Sequence, residues 1–155
     1  MVLTFERSIK IEQPIETVFE YIADPLHLLP IWPGLAEITN VKPLPAGGST
    51  FGYVYYLAGM RFEGRGEFVE FVPKTRIVCK LTGGIEGTLT FKFQPGANQT
   101  MVYFTLAYTI PTALLSKFPK VPEAAFKELS LHEIDCLLAN MKTVIPFFVP
   151  TPAAR

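Results

Sequence analysis

LTFERSIKIEQPIETVFEYIADPLHLLPIW, residues 3–32, carries the reading that decides the fold. Its first third alternates: Leu3 and Phe5, then Arg7 between Glu6 and Ser8, then Ile9 and Ile11. A period of two marks a strand, expected over residues 3–12. Gln13-Pro14 then opens a helix, with Pro14 in the first turn, where its missing N–H costs nothing. Ile15, Val18, Phe19 and Ile22 follow at the i, i+3, i+4, i+7 spacing of one apolar helix face. Asp24-Pro25 stops that helix and caps a second short one, expected over residues 26–32, which Pro30 and Pro33 keep brief. One strand and two short helices thus precede everything else.

Outward from there, residues 36–110 read as hairpin after hairpin. Strands are expected at 37–44, 50–59, 62–72, 75–82, 86–94 and 100–110. Turn chemistry separates them: Pro45-Ala46-Gly47-Gly48, Gly59-Met60, Pro73-Lys74, Gly83-Gly84 and Pro95-Gly96-Ala97-Asn98. Such short connections predict an antiparallel meander. Phe51, Tyr53, Tyr55 and Leu57 share one face, as do Leu89, Phe91 and Phe93, while Val102, Phe104, Leu106 and Tyr108 face inward on the last strand. In the strand from residue 62, Glu63, Arg65 and Glu67 mark an outer face that Val69 and Phe71 then contradict; a bulge near residues 68–69 resolves the conflict. Glycines at 59, 64 and 66 in or beside strands mark bends or the close approach of another group.

The end of the chain turns helical. A short helix at 112–117 is interrupted by Phe118-Pro119-Lys120-Val121-Pro122, and a long helix follows over 123–144. Ile134, Leu137, Leu138, Met141, Val144 and Ile145 form its apolar stripe. The element order predicts an α+β architecture: a seven-stranded curved antiparallel sheet wrapped on the long C-terminal helix, with two short helices between strands 1 and 2. No linker divides the chain, so residues 1–146 are expected as one domain and 147–155 as an extended proline-rich tail.

These residues resemble the START/Bet v 1-like (SRPBCC) superfamily, in its polyketide cyclase/dehydrase and lipid-transport branch. The resemblance covers nearly the whole chain. It is carried by Ile11-x-x-Pro14-x-x-x-Val18-Phe19-x-Tyr21-Ile22-x-Asp24-Pro25 with Trp32 following, by Gly47-Gly48, by Phe71-x-Pro73, and by Gly96 through Thr100 before the last strand. It implies a helix-grip fold with an apolar cavity between sheet and long helix. That superfamily hosts carriers, cyclases, oxygenase domains and chaperone activators, so the fold alone does not choose a function. Pro119 and Pro122 depart from the simplest carrier pattern and imply a reshaped cavity entrance.

Composition narrows the choice. The 155 residues include 13 Phe, 6 Tyr and 1 Trp, and only 18% are charged. Fourteen basic residues balance 14 acidic ones, which argues against a nucleic-acid partner. The longest charge-free stretch, residues 93–116, is divided by a turn cluster and alternates like a strand, so no membrane span is expected. Early charges (Glu6, Arg7, Lys10, Glu12) leave no room for a secretory leader there, and a reducing, cytoplasmic location is the default expectation. Cys79 and Cys136 lack metal-ligand spacing to either histidine, so neither a metal nor another cofactor is expected. Cys79 falls on an inward strand face and reads as a small hydrophobe.

The ligand-binding candidates are the aromatics of the concave face, Phe51, Tyr53, Tyr55, Phe62, Phe91, Phe104 and Tyr108. Trp32, and Phe126 and Leu129 on the long helix, complete the set. Singly, such rings are ordinary core; together they suit a pocket walled by apolar groups with few polar ones. The catalytic candidates are His132, Glu133 and Arg61, although His132 and Glu133, as neighbours on a helix, do not face the same way. Binding or transport of a hydrophobic small molecule (a lipid, polyketide or isoprenoid-like compound) is the leading expectation. A cyclase/dehydrase using cavity Tyr, His and Glu groups is the alternative, and a protein-interaction module docking through Phe147-Phe148 is the third. Zero net charge, with apolar Val54 and Tyr56 on the outer face, also raises a homodimer.

Overall fold

The computed structural model describes residues 2–151. Seven strands form one antiparallel sheet in the order β1-β7-β6-β5-β4-β3-β2. They are β1 (Val2–Ile11), β2 (Leu35–Pro43), β3 (Ser49–Leu57), β4 (Met60–Val72), β5 (Arg76–Gly83), β6 (Gly87–Gly96) and β7 (Gln99–Thr109). β2 to β7 are a meander, and β1 pairs with β7 from Val2↔Thr109 to Ile11↔Thr100. The first and second strands therefore lie on opposite edges of the sheet. Helix α1 (Ile15–Ala23) and a 3-10 turn (Pro25–Leu28) make the crossing between them. Asp24 accepts the Leu26 N–H at 3.0 Å and so caps that turn. The second short helix is shorter than the expected 26–32, because Pro30 has no N–H to extend it. A backbone bond from Trp32 N–H to the Leu28 carbonyl at 2.9 Å closes the segment instead.

Alternation places the core. On β1, Leu3, Phe5 and Ile11 are buried while Val2, Thr4 and Glu6 are exposed. Arg7 shares the parity of Phe5, and its guanidinium pairs with Asp135 at 3.3 Å, tying the edge strand to the long helix. β4 carries the expected bulge: Phe68 pairs with Cys79 and Glu70 with Val78, which leaves Val69 unpaired and exposed. Beside it, the rings of Phe51 and Tyr53 lie over Gly66 and Gly64 of β4, where a Cβ would come within 2.2 and 2.3 Å of them. These glycines let β3 rings lie flat across the neighbouring strand and give the sheet a tight curl. On the outer face Val54 is buried and Tyr56 exposed.

Helix α2 (Thr112–Lys117) and the proline-broken link lead into α3 (Glu123–Val144). At about 1.5 Å per residue, α3 is long enough to cross the sheet. Its C-terminal half buries Ile134, Leu137, Leu138 and Met141, whereas its N-terminal half buries only Phe126 and Ser130. Each fully buried aliphatic side chain contributes about 1.5–3 kcal/mol. The C-terminal half is therefore the anchor, and space remains beneath the other half. No helix among the described residues is long and apolar enough to cross a membrane. Past α3, Phe147 is exposed while Phe148 packs edge-on against Tyr21 and His27, at 5.4 and 5.0 Å between ring centroids. Residues 152–155 of the expected tail lie outside the described residues.

Candidate functional site

A half-open cavity of about 80 Å³ lies between α3 and the concave face. That is several times the roughly 10–15 Å³ that one water needs. Strand β3 supplies Phe51, Tyr53, Tyr55 and Leu57; Leu81, Leu89, Leu106 and Tyr108 come from β5 to β7. Trp32, Leu35 and Ile38 close one side, and Ser130, Glu133 and Ile134 of α3 form the roof. Ser130, Glu133 and Ile134 stand at i, i+3 and i+4, one face of the helix. Among the described residues no lysine, arginine or histidine lines the cavity.

Glu133 is held from two segments at once. Its Oε1 accepts the Gly34 N–H at 3.0 Å and the Tyr55 hydroxyl at 2.5 Å. The Tyr55 oxygen in turn accepts the Trp32 Nε1–H at 2.9 Å. One helical face further along, Asn140 donates to the Ile31 carbonyl at 2.9 Å, so α3 holds the 31–34 segment at two points. Gly34 has to be glycine for this approach, since a Cβ there would sit 2.5 Å from Glu133 Oε1 and 2.6 Å from Tyr55 Cζ. Burial, reinforced by the neighbouring carboxylate, pushes the Tyr55 phenol well above its ordinary value.

Three further polar side chains line the cavity. Ser130 donates to the Phe126 carbonyl at 2.9 Å, and Tyr108 is 2.6 Å from the Ser130 oxygen. Tyr53 donates to the Ile85 carbonyl at 3.1 Å and accepts the Ile85 N–H at 2.9 Å. Burial raises both phenols.

Of the residues singled out from sequence, Trp32, Phe51, Tyr53, Tyr55, Tyr108 and Glu133 come together at the cavity. Phe62, Phe91, Phe104 and Phe126 are buried in the core without lining it. Phe104 packs against Phe91 at 5.1 Å and edge-on to Trp32 at 6.2 Å, filling space rather than bounding it. Leu129 is 46% exposed, because the buried line of α3 runs through 126, 130 and 134 and leaves 129 on the flank. His132 is exposed as well. Arg61 is exposed and pairs with Glu63 at 2.7 Å and Glu37 at 3.8 Å. Gly34 and Ser130 stand at the site without having been singled out from sequence. Ser130 was findable, four residues before Ile134 on the same helical stripe; Gly34 carried only a turn signal.

Cys79 is buried, and burial pushes its thiol up to about 12, which keeps it an inert hydrophobe. His27 lies outside the cavity, where its Nδ1 donates to the Tyr21 carbonyl at 2.7 Å.

A curled antiparallel sheet gripping one long helix over a half-open apolar cavity defines the helix-grip class. Residues 2–146 match the family described as polyketide cyclase / dehydrase and lipid transport, and the chain belongs to that family. Solved structures agree on the fold. A START superfamily protein from Mycobacterium smegmatis superposes with a TM-score of 0.76 at 13% identity, over 93% of this chain and 97% of that one. The Zhui aromatase/cyclase from a Streptomyces species gives 0.71 at 14% identity, over 94% of both chains. The di-domain aromatase/cyclase StfQ of the steffimycin pathway gives 0.71 at 18% identity, over 95% of this chain and 52% of that one. Among curated proteins no match is found.

Proposed function

We propose that the protein binds a small, largely apolar molecule in the helix-grip cavity, with one polar group of the ligand held at Glu133. The observation that carries this reading is the cavity itself: aliphatic and aromatic walls, half open, with a single carboxylate at one side. Sites of that composition derive affinity from apolar burial and orientation from a few placed polar groups. The family to which the chain belongs supports the same reading.

Binding of the neutral dye N-phenyl-1-naphthylamine tests it. Dye emission should rise with the native protein, and native mass spectrometry should detect the complex. Leu106→Trp fills the cavity from β7 and should weaken dye binding more than tenfold while the protein stays folded. No uptake by the native protein, or uptake indifferent to Leu106→Trp, overturns the reading.

A cyclase or dehydrase activity would use the same place. Glu133 and Tyr55 are a carboxylate and a phenol in hydrogen-bond contact inside the cavity, whereas His132 and Arg61 are exposed outside it. Turnover of a β-polyketone that is lost in Glu133→Gln while binding persists would establish it; binding without turnover leaves the carrier reading.

A further inference from the structure

Every polar hydrogen on the side chains that line the cavity has a fixed destination. An indole N–H and a backbone N–H can only donate. Trp32 therefore donates to the Tyr55 oxygen, and Gly34 donates to Glu133 Oε1. That leaves the Tyr55 proton to point at the same carboxylate oxygen. A carbonyl can only accept, so the Ser130 proton goes to Phe126 O, and the Tyr108 proton must go to the Ser130 oxygen. The Tyr53 proton goes to a backbone carbonyl, that of Ile85 at 3.1 Å or that of Thr82 at 3.4 Å. The remaining lining residues are aliphatic or phenylalanine, and none is basic. What is left uncommitted is lone pairs only. Among the described residues the hydrogen bonds to Glu133 all fall on Oε1, so Oε2 is its open acceptor.

We infer that the cavity selects ligands that donate a hydrogen bond, namely phenols, enols and alcohols, over ketones and carboxylates, with Glu133 Oε2 as the acceptor. This rests on the ligand-binding reading and adds the chemical class to it. A ketone placed in the cavity finds no free hydrogen and pays for the water it leaves behind. A carboxylate is worse off, since it meets Glu133 with no cation among the lining residues to offset the repulsion. A phenol gains a hydrogen bond to a carboxylate, the stronger kind. Because burial raises the phenols of Tyr53, Tyr55 and Tyr108, their protons stay in place across the neutral range, and the polarity of the chain with them. Tyr55 is for the same reason poorly placed as an acid that polarises a substrate carbonyl, since its proton is already given to Glu133.

Three probes on one ring system test this by titration calorimetry: 2-naphthol, 2-acetonaphthone and 2-naphthoate. The native protein should bind 2-naphthol at least tenfold more tightly than either of the others. In Glu133→Gln the amide oxygen keeps the Gly34 and Tyr55 hydrogens, and the amide nitrogen takes the place of Oε2 as a donor. The order of 2-naphthol and 2-acetonaphthone should then reverse. Tyr55→Phe frees the Trp32 Nε1–H and should raise 2-acetonaphthone affinity severalfold, which gives a second readout if Glu133→Gln does not fold. Equal affinities for the three probes, or a phenol preference that survives Glu133→Gln, overturns the donor selectivity while leaving ligand binding intact. Failure of all three probes and of N-phenyl-1-naphthylamine to bind overturns the binding reading and this inference with it.

Discussion

The backbone N–H of Gly34 and the hydroxyl of Tyr55 meet on one oxygen of Glu133, although 99 and 78 residues separate these partners in the chain. Gly34→Ala probes how firmly that junction is held. The new Cβ would stand 2.5 Å from Oε1 and 2.6 Å from the Tyr55 ring. The glutamate tip can swing away, but only by giving up its hydrogen bonds, and the ring, part of a packed wall, cannot. Gly34→Ala should therefore cost about 1–3 kcal/mol. A lower urea midpoint with an unchanged slope would show it; an unchanged midpoint would mean the junction yields freely. The residues of this junction were only partly legible in the sequence. Glu133 stood out because it is the charged neighbour of a histidine, yet successive helix residues diverge, and His132 is exposed to solvent. Tyr55 and Trp32 were recognisable as rings for a concave face, but nothing local announces that their polar atoms meet.

Whole elements were read more fully than single contacts. The parity break at Glu63, Arg65, Glu67 and then Val69 located the β4 bulge, because a period of two cannot slip without one extra residue. The second short helix was overread, since an apolar run does not reveal where a proline will end its hydrogen bonding. Which inward aromatics bound the cavity was not legible either. Phe91 and Phe104 share the inward face with Leu89 and Leu106, and only the position of α3 above the sheet separates filling from lining. The segment after α3 offers a test at this scale. Phe148 packs edge-on to Tyr21 and His27, and the Thr151 N–H donates to the Glu20 carboxylate at 2.9 Å, so the strap lies along α1. Phe147, next to it, is 84% exposed. Phe148→Ala should lower stability by about 1–2 kcal/mol, less than a fully buried ring would cost. Phe147→Ala should fall within about 0.5 kcal/mol of the parent. Equal effects of the two substitutions in thermal or urea melts would deny the strap its packing role.

The burial of four of the six tyrosines has a consequence for the molecule as a whole, because it takes their phenols out of water. Tyr21 is pushed up to about 12 by burial, and Tyr53, Tyr55 and Tyr108 are raised by the same cause. The buried Cys79 thiol is likewise pushed up to about 12. In the unfolded chain these groups ionise near their ordinary values, 9.0 for the thiol and 10.0 for the phenols. Between those values and the folded ones, the unfolded chain releases protons that the folded protein retains. The contribution is thus whole below about pH 8 and is lost as pH climbs through the range from about 9 upward, where each proton retained by the fold favours unfolding. Urea melts at stepped pH should show a level plateau through neutrality and then a steady fall in midpoint on the alkaline side. Phenolate absorbance should lag behind that of a denatured sample until the protein unfolds. Removing one contributor should blunt the fall: Tyr108→Phe keeps the ring and loses the titrating proton, so its alkaline slope should be shallower than that of the parent. A midpoint that stays level through the phenol range, with phenolate forming in the still-folded protein, would mean the grip does not hold these side chains away from water.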